Sequence, residues 1–141
     1  MKKPTKKSIV KSLQAKAERL WKEYAIKRDG RECQVAKQYP ELKIVHTNCI
    51  QVDHFISRRN KEFFVDPKNS TVVCSSCNRM KCFHQKSVDR IIDEIVLARE
   101  GEFWFKSAIA KDMSKGSFPD WSNVVWLEAQ CEMLEKMIGG V

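Results

Sequence analysis

Apolar positions recur at intervals of three and four over residues 8–28, where Val10, Leu13, Ala17, Leu20 and Tyr24 form one stripe. That is the period of an amphipathic helix. Ser8 can cap its start and Gly30 can stop it, while Lys11, Lys16, Arg19, Lys22 and Lys27 cover the remaining surface. Residues 31–52 are irregular until Ile50-Gln51-Val52-Asp53-His54, whose alternation predicts a short strand. A polar, basic loop fills Ile56 to Ser70, Thr71-Val72-Val73 predicts a second strand, and helical patterning begins at Ser75. Val88, Ile91, Ile92 and Ile95 share one face of a helix predicted over Ser87 to Arg99, with Gly101 as its stop. Glu102 to Met113 reads as helix with poor periodicity. Val124, Leu127, Cys131, Leu134 and Ile138 stripe a last helix over Asp120 to Ile138, closed by Gly139-Gly140.

These elements predict an α+β protein of one domain, a size that 141 residues suit. It divides into a basic arm (1–8), an N-terminal helix (9–30), a central core unit (31–86) and a C-terminal helical extension (87–141). No run reaches the ~18 apolar residues of a membrane span, and no apolar signal segment follows the first lysines. The expectation is a soluble, cytoplasmic protein. The formal net charge is +8, and residues 1–31 alone carry eleven Lys or Arg against three Asp or Glu. A basic arm of this kind suits a polyanion such as nucleic acid, through counterion release, or serves only as a solubilising tail. Six cysteines in a chain with no secretory signal argue for metal ligands over disulfides.

Four features follow one another in the chain: Asp53-His54, Asn69, Cys74-Ser75-Ser76-Cys77, and Asn78 with Lys81 three residues later. Phosphodiester hydrolysis needs an activated water, a cation on the phosphate and help for the leaving oxygen. His54 can act as general base, because a neutral imidazole titrates near working pH. Asp53 and His54 point to opposite sides of a strand, so one can hold a metal while the other faces the water. Asn78 offers an amide oxygen as a second ligand, and two oxygen ligands plus waters suit Mg²⁺ or Mn²⁺. Lys81, one turn beyond Asn78, could reach a phosphate oxygen. Arg58, Arg59 and Lys61, in the loop between the strands, are candidate phosphate contacts.

The order and spacing of these residues resemble the HNH (ββα-metal) nuclease family. That pattern places Asp-His at the end of a first strand, an Asn five residues before a CxxC, and a His or Asn directly after the second Cys. The resemblance covers residues 28–81, and Asn after the CxxC is similar to phage endonuclease VII and related junction-cleaving enzymes. The flanks Tyr24-Ala25-Ile26-Lys27-Arg28-Asp29 and Asp53-His54-Phe55-Ile56-Ser57-Arg58 resemble the phage recombination nucleases of the NinG (Rap) type. The resemblance implies that Asn69 braces the loop and the His54 ring. It also implies a DNA substrate, including branched forms such as a Holliday junction or D-loop in phage recombination. A two-fold substrate would favour a homodimer, although the sequence does not show one.

One departure concerns zinc. The zinc-bearing relatives have a first CxxC before the Asp-His, but here Ala36 stands where the partner of Cys33 should be. Cys49 is the expected replacement, giving Cys33, Cys49, Cys74 and Cys77 around one structural Zn²⁺, with His46 as a rival ligand. Cys82 and His84 are read as outside the sites, and Cys131 as a core residue. Trp21, Trp104, Trp121 and Trp126 are read as packing residues. The expected fold is therefore a zinc-stapled ββα nucleus with a basic helix before it and two or three helices after it. Three rivals to the junction nuclease stay open. One is a homing, restriction or packaging HNH nuclease acting on ordinary duplex. Another is a zinc-stabilised DNA-binding module without activity, which would have no use for Asp53, His54 and Asn78 together. A CxxC redox protein would lack its usual βαβ surroundings.

Overall fold

The first helix begins where Thr5, in an extended conformation, accepts a hydrogen bond from the Ser8 backbone N–H at 3.1 Å through its hydroxyl. The cap is thus Thr5 rather than Ser8. A side-chain oxygen here satisfies a backbone donor that the first turn leaves open. Helix α1 runs Lys6–Asp29 and ends at Gly30, whose φ of 80° is a left-handed value that glycine tolerates. The computed structural model describes residues 2–82, 86–114 and 116–140. His84 and the Cys82 side chain lie outside the described residues.

After α1 come α2 (Gln34–Gln38), β1 (Ile50–Asp53), β2 (Thr71–Cys74) and α3 (Ser75–Cys82). Helices α4 (Lys86–Glu100) and α5 (Glu102–Met113), a 3₁₀ turn at Pro119–Ser122, and α6 (Val124–Gly140) complete the chain. The fold is α+β, with one two-stranded antiparallel sheet. Its register pairs Ile50 with Cys74 and Asp53 with Thr71. Two short strands are not independently stable in water, so both must be held by the helices around them. All four residues of β2 are buried.

Three apolar clusters do this. The first packs Cys33, Val35, Val73, Cys74 and Cys77 against Val88, Ile91, Ile92 and Ile95, the stripe read on α4. The second joins Ala17, Leu20 and Trp21 of α1 to Cys131 and Leu134 of α6 and to Phe64 and Val65 of the loop between the strands. Cys131 is the core residue its stripe implied. The third sets Ile56 and Phe63 on Ala108 of α5. The long loop between β1 and β2 is thereby clamped from both sides. Trp21, fully buried, donates its indole N–H to the Asp66 carbonyl at 2.8 Å, which ties α1 to the end of that loop. Arg28 adds bonds to the Pro67 and Ser70 carbonyls, and Asp29 accepts from the Val72 N–H of β2 at 3.1 Å.

Two boundaries differ from the pattern. α2 lies inside the stretch read as irregular, because one turn and a half is too short to show a period. Helix α6 runs through Gly139 to Gly140 rather than stopping before them. Glycine ends a helix only where the chain turns to positive φ, and among the described residues only Gly30 and Gly101 do so. No helix among the described residues is long and apolar enough to cross a membrane.

Candidate functional site

The ligand atoms of Cys33, His46, Cys74 and Cys77 lie within 4.8 Å of one another. Cys33 comes from the segment before α2, His46 from the segment before β1, and Cys74 and Cys77 from the junction of β2 and α3. The Cys33 and Cys77 sulfurs are 3.8 Å apart. His46 Nδ1 is 3.5 Å from Cys74 Sγ and 3.4 Å from Cys77 Sγ. Tetrahedral zinc, with Zn–S of about 2.3 Å and Zn–N of about 2.0–2.1 Å, sets sulfurs about 3.8 Å apart and sulfur about 3.5 Å from nitrogen. These separations fit, so the Cys₃His group could hold a structural metal such as zinc.

Cys49 is not part of this group. Its side chain is exposed, and it contributes only its carbonyl, which accepts from Ser75 N–H at 2.8 Å. Strand parity gives the reason. Ile50 packs against the first core cluster, and the neighbouring residue must face the other way. His46, the rival ligand, takes the fourth position. Burial raises the Cys74 thiol, but N–H groups of Cys77 and Thr47 and the His46 ring outweigh it and bring the thiol down to about 6. Cys77 is pushed up, by burial first and then by Cys33. One thiolate thus forms readily, and the other sulfurs would lose protons to a bound cation.

A second set of residues surrounds an open cleft of about 830 Å³ between α1, β1, the β1–β2 loop and α3. Asp53, His54, Arg58, Arg59, Asn78 and Lys81 line it, joined by Glu18 and Lys22 of α1 and Gln51 of β1. The imidazole of His54 is stacked on Trp21, with centroids 4.0 Å apart and planes at 15°, and Phe64 covers it at 5.0 Å. Its Nε2 lies 2.9 Å from the Phe64 carbonyl oxygen. A carbonyl only accepts, so Nε2 carries the proton and Nδ1 keeps a free lone pair. Burial lowers the His54 pKa to about 4, against the opposing pull of the Phe64 carbonyl. The ring is therefore neutral at pH 7, with Nδ1 as an acceptor, but burial takes its titration below the working range that the sequence suggested.

Asn69, fully buried, accepts from the Ile56 N–H at 2.6 Å and donates to the carbonyls of Ile56 and Phe63 at 3.1 and 2.9 Å. It braces the loop. The His54 ring is not its partner; the ring is held by Phe64, the residue after the one Asn69 grips. Asn69 is thus a positioning residue rather than one that touches the reacting atoms.

Asp53 is 7% exposed, and burial pushes its carboxyl above the ordinary range while Lys81 pulls it back. Lys81 Nζ donates to Asp53 Oδ2 at 2.5 Å and to the His54 carbonyl at 2.8 Å. The expected phosphate contact is therefore turned inward onto a carboxylate. Asn78 donates its amide N–H to Gln51 Oε1 at 2.6 Å, which leaves its amide oxygen as the free acceptor.

The three loop cations diverge. Arg58 lines the cleft and bridges to Glu18 at 3.7 Å. Arg59 lines it too and is exposed. Lys61 does not line it; its ammonium sits 4.2 Å above the Phe64 ring and 5.6 Å from Trp121. Trp104 packs with Phe55 and Phe63, and Trp121 with Phe64 and Trp126, as packing residues do.

No family model matches this chain, and neither does any curated protein or solved structure. The reading of the site therefore rests on its geometry. Sequence reasoning missed Gln51, Glu18, Lys22 and the Trp21–Phe64 sandwich. Alternation could have found Gln51, two residues before Asp53 on the same face of β1. Nothing in the pattern of α1 marked Glu18 or Lys22, which look like an ordinary solvated i, i+4 pair.

Proposed function

We propose that this protein is a divalent-metal-dependent DNA endonuclease of the HNH type, working in the cleft between α1 and α3. One observation carries the reading. His54 is a neutral imidazole whose Nε2–H is tied to the Phe64 carbonyl, and it shares a cleft with a buried carboxylate, a free amide oxygen and four cationic side chains. A general base fixed in one tautomer beside a carboxylate suits the hydrolysis of a phosphodiester.

In this reading Nδ1 of His54 takes the proton of the attacking water. The aromatic sandwich and the Phe64 carbonyl fix the plane of the ring, and Asn69 fixes the loop that supplies that carbonyl. Lys22, Arg58 and Arg59 hold phosphates of the strand by charge-assisted hydrogen bonds. Asp53 and Asn78 supply hard oxygen donors that fit Mg²⁺ or Mn²⁺ better than a soft metal. Such an ion, when bound, contributes positive charge to the phosphate and to the leaving oxygen. The Cys₃His group, with zinc as its metal, ties together the segments that carry β1 and α3, keeping Asp53 and Asn78 in register.

The finer substrate follows the resemblance to phage junction nucleases: branched DNA, cut in a host cytoplasm. Side-by-side digestion of a four-way junction and its linear arms, with and without Mg²⁺ or Mn²⁺, tests this. Metal-dependent cleavage favouring the junction is expected. Equal cleavage of both substrates would replace the junction enzyme with one acting on ordinary duplex. Tight DNA binding without cleavage on any substrate would leave only a zinc-stabilised binding module.

A further inference from the structure

Between β1 and α3 the cleft wall is a ladder of two rungs. Gln51 and Asp53 share one face of β1, and Asn78 and Lys81 lie one turn apart on α3. Gln51 is bonded to Asn78, and Asp53 to Lys81. The Lys81 side chain is 19% exposed, and its ammonium rests on two oxygens, the Asp53 carboxylate and the His54 backbone carbonyl, at 2.5 and 2.8 Å. That is the coordination a cation would choose at this point.

Asn78 turns its amide N–H to Gln51 and keeps its oxygen free, while Lys81 takes one carboxylate oxygen of Asp53. An ion set on Asp53 Oδ2 takes the place that the Lys81 ammonium occupies. The surroundings favour a higher charge there. Burial first, and then the neighbouring Asp89 and Asp53, raise the Asp93 carboxyl of α4, against the pull of Lys81.

We infer that Lys81 is a tethered counter-ion, filling the cation position at Asp53 until a divalent ion displaces it, and that the freed ammonium then serves the substrate phosphate. The inference deepens the nuclease reading and rests on it for the phosphate role only. Lys81 thereby couples metal entry to completion of the phosphate site. In the metal-free protein it keeps the buried carboxylate paired, avoiding the cost of an uncompensated charge.

Two measurements on the full chain test this without relying on cleavage. The first is Mn²⁺ titration by calorimetry of wild type, Lys81→Gln and Asp53→Asn. Removing a charge-assisted competitor should tighten Mn²⁺ binding by Lys81→Gln about tenfold or more, and Asp53→Asn should abolish it. The second uses wild type, so it stands even if Lys81→Gln fails to fold. Acylation of Lys81 by an amine-reactive reagent, followed by mass spectrometry, should be slow without metal and rise several-fold when Mg²⁺ is added, while exposed lysines such as Lys106 stay constant. Unchanged or weaker Mn²⁺ binding by Lys81→Gln would overturn the inference, as would no Mn²⁺ binding by either protein. Lys81 acylation indifferent to Mg²⁺ would do the same. Tightened binding in a protein that cleaves no DNA would leave the counter-ion standing and remove only the nuclease.

Discussion

Replacing His46 by Ala, with Cys49→Ser as its control, separates the Cys₃His group as a zinc site from the all-cysteine set that spacing suggests. His46 Nδ1 lies within 3.5 Å of two sulfurs, while the Cys49 thiol stands outside the group. Removing His46 leaves three sulfurs and a water to complete the shell. Loss of a partner that only orients a metal ligand costs about 10–100-fold in affinity, so loss of a ligand itself should cost at least about 100-fold. That corresponds to about 2.7 kcal/mol. Zinc binding at such a site is coupled to folding, because the sulfurs of Cys33, Cys74 and Cys77 sit in the core that holds β2 against α4. At about 3–4 °C per kcal/mol for a chain of this size, the midpoint should fall by about 8–11 °C at limiting free zinc. Competition with a chelator of known affinity gives the first number, and thermal unfolding at buffered zinc gives the second. Cys49→Ser should change neither. If Cys49→Ser lost zinc as severely as His46→Ala, the exposed thiol would belong on the metal and the geometric argument would fail.

Chelating the metal from wild type should expose the β2–α4 core and lower the midpoint further than His46→Ala does, a loss read by thermal unfolding and reversed by added Zn²⁺. Asn69→Ala removes three buried hydrogen bonds and leaves the Ile56 N–H without its acceptor; a loss of about 2–4 kcal/mol in urea unfolding is expected, and a loss under 0.5 kcal/mol would deny Asn69 its bracing role. The pH dependence follows from His54, whose folded pKa of about 4 lies below the ordinary 6.5. Between those values the unfolded chain binds the proton and the folded one does not, so the His54 contribution to stability declines as pH falls from 6.5 toward 4. On the nuclease reading the same shift keeps His54 unprotonated, so the acid limb of kcat/KM should fall near pH 4 rather than 6.5, and imidazole NMR titration should give the matching value. A limb at 6.5 would mean a solvated ring.

How much of this was legible in the chain depends on how local each cause is. The α4 stripe and the two strands follow from spacing and residue type, since Val88, Ile91, Ile92 and Ile95 must bury one face and Thr71-Val72-Val73 is β-branched throughout. Helix α1 is legible as an element, but its buried face is centred on Ala17, Trp21 and Ala25 rather than on Val10 and Tyr24, because α6 and the β1–β2 loop choose what they cover. Asp53, His54 and Asn78 could be singled out by order and residue type, and all three line one cleft. His46 against Cys49 was a matter of strand parity, which depends on where β1 starts in register with Cys74. The inward turn of Lys81 had no local signal. It arises because the Asp53 carboxylate is buried across the ladder from it, a contact 28 residues distant in the chain.

The central claim is that His54 Nδ1 is the base that activates water at a phosphodiester. Single-turnover cleavage of DNA by wild type and His54→Ala, at saturating Mg²⁺ and matched DNA occupancy, tests it most directly. The account predicts a rate about 10²–10⁴-fold lower for His54→Ala, with DNA affinity and zinc content unchanged. Cleavage by His54→Ala at the wild-type rate would contradict it.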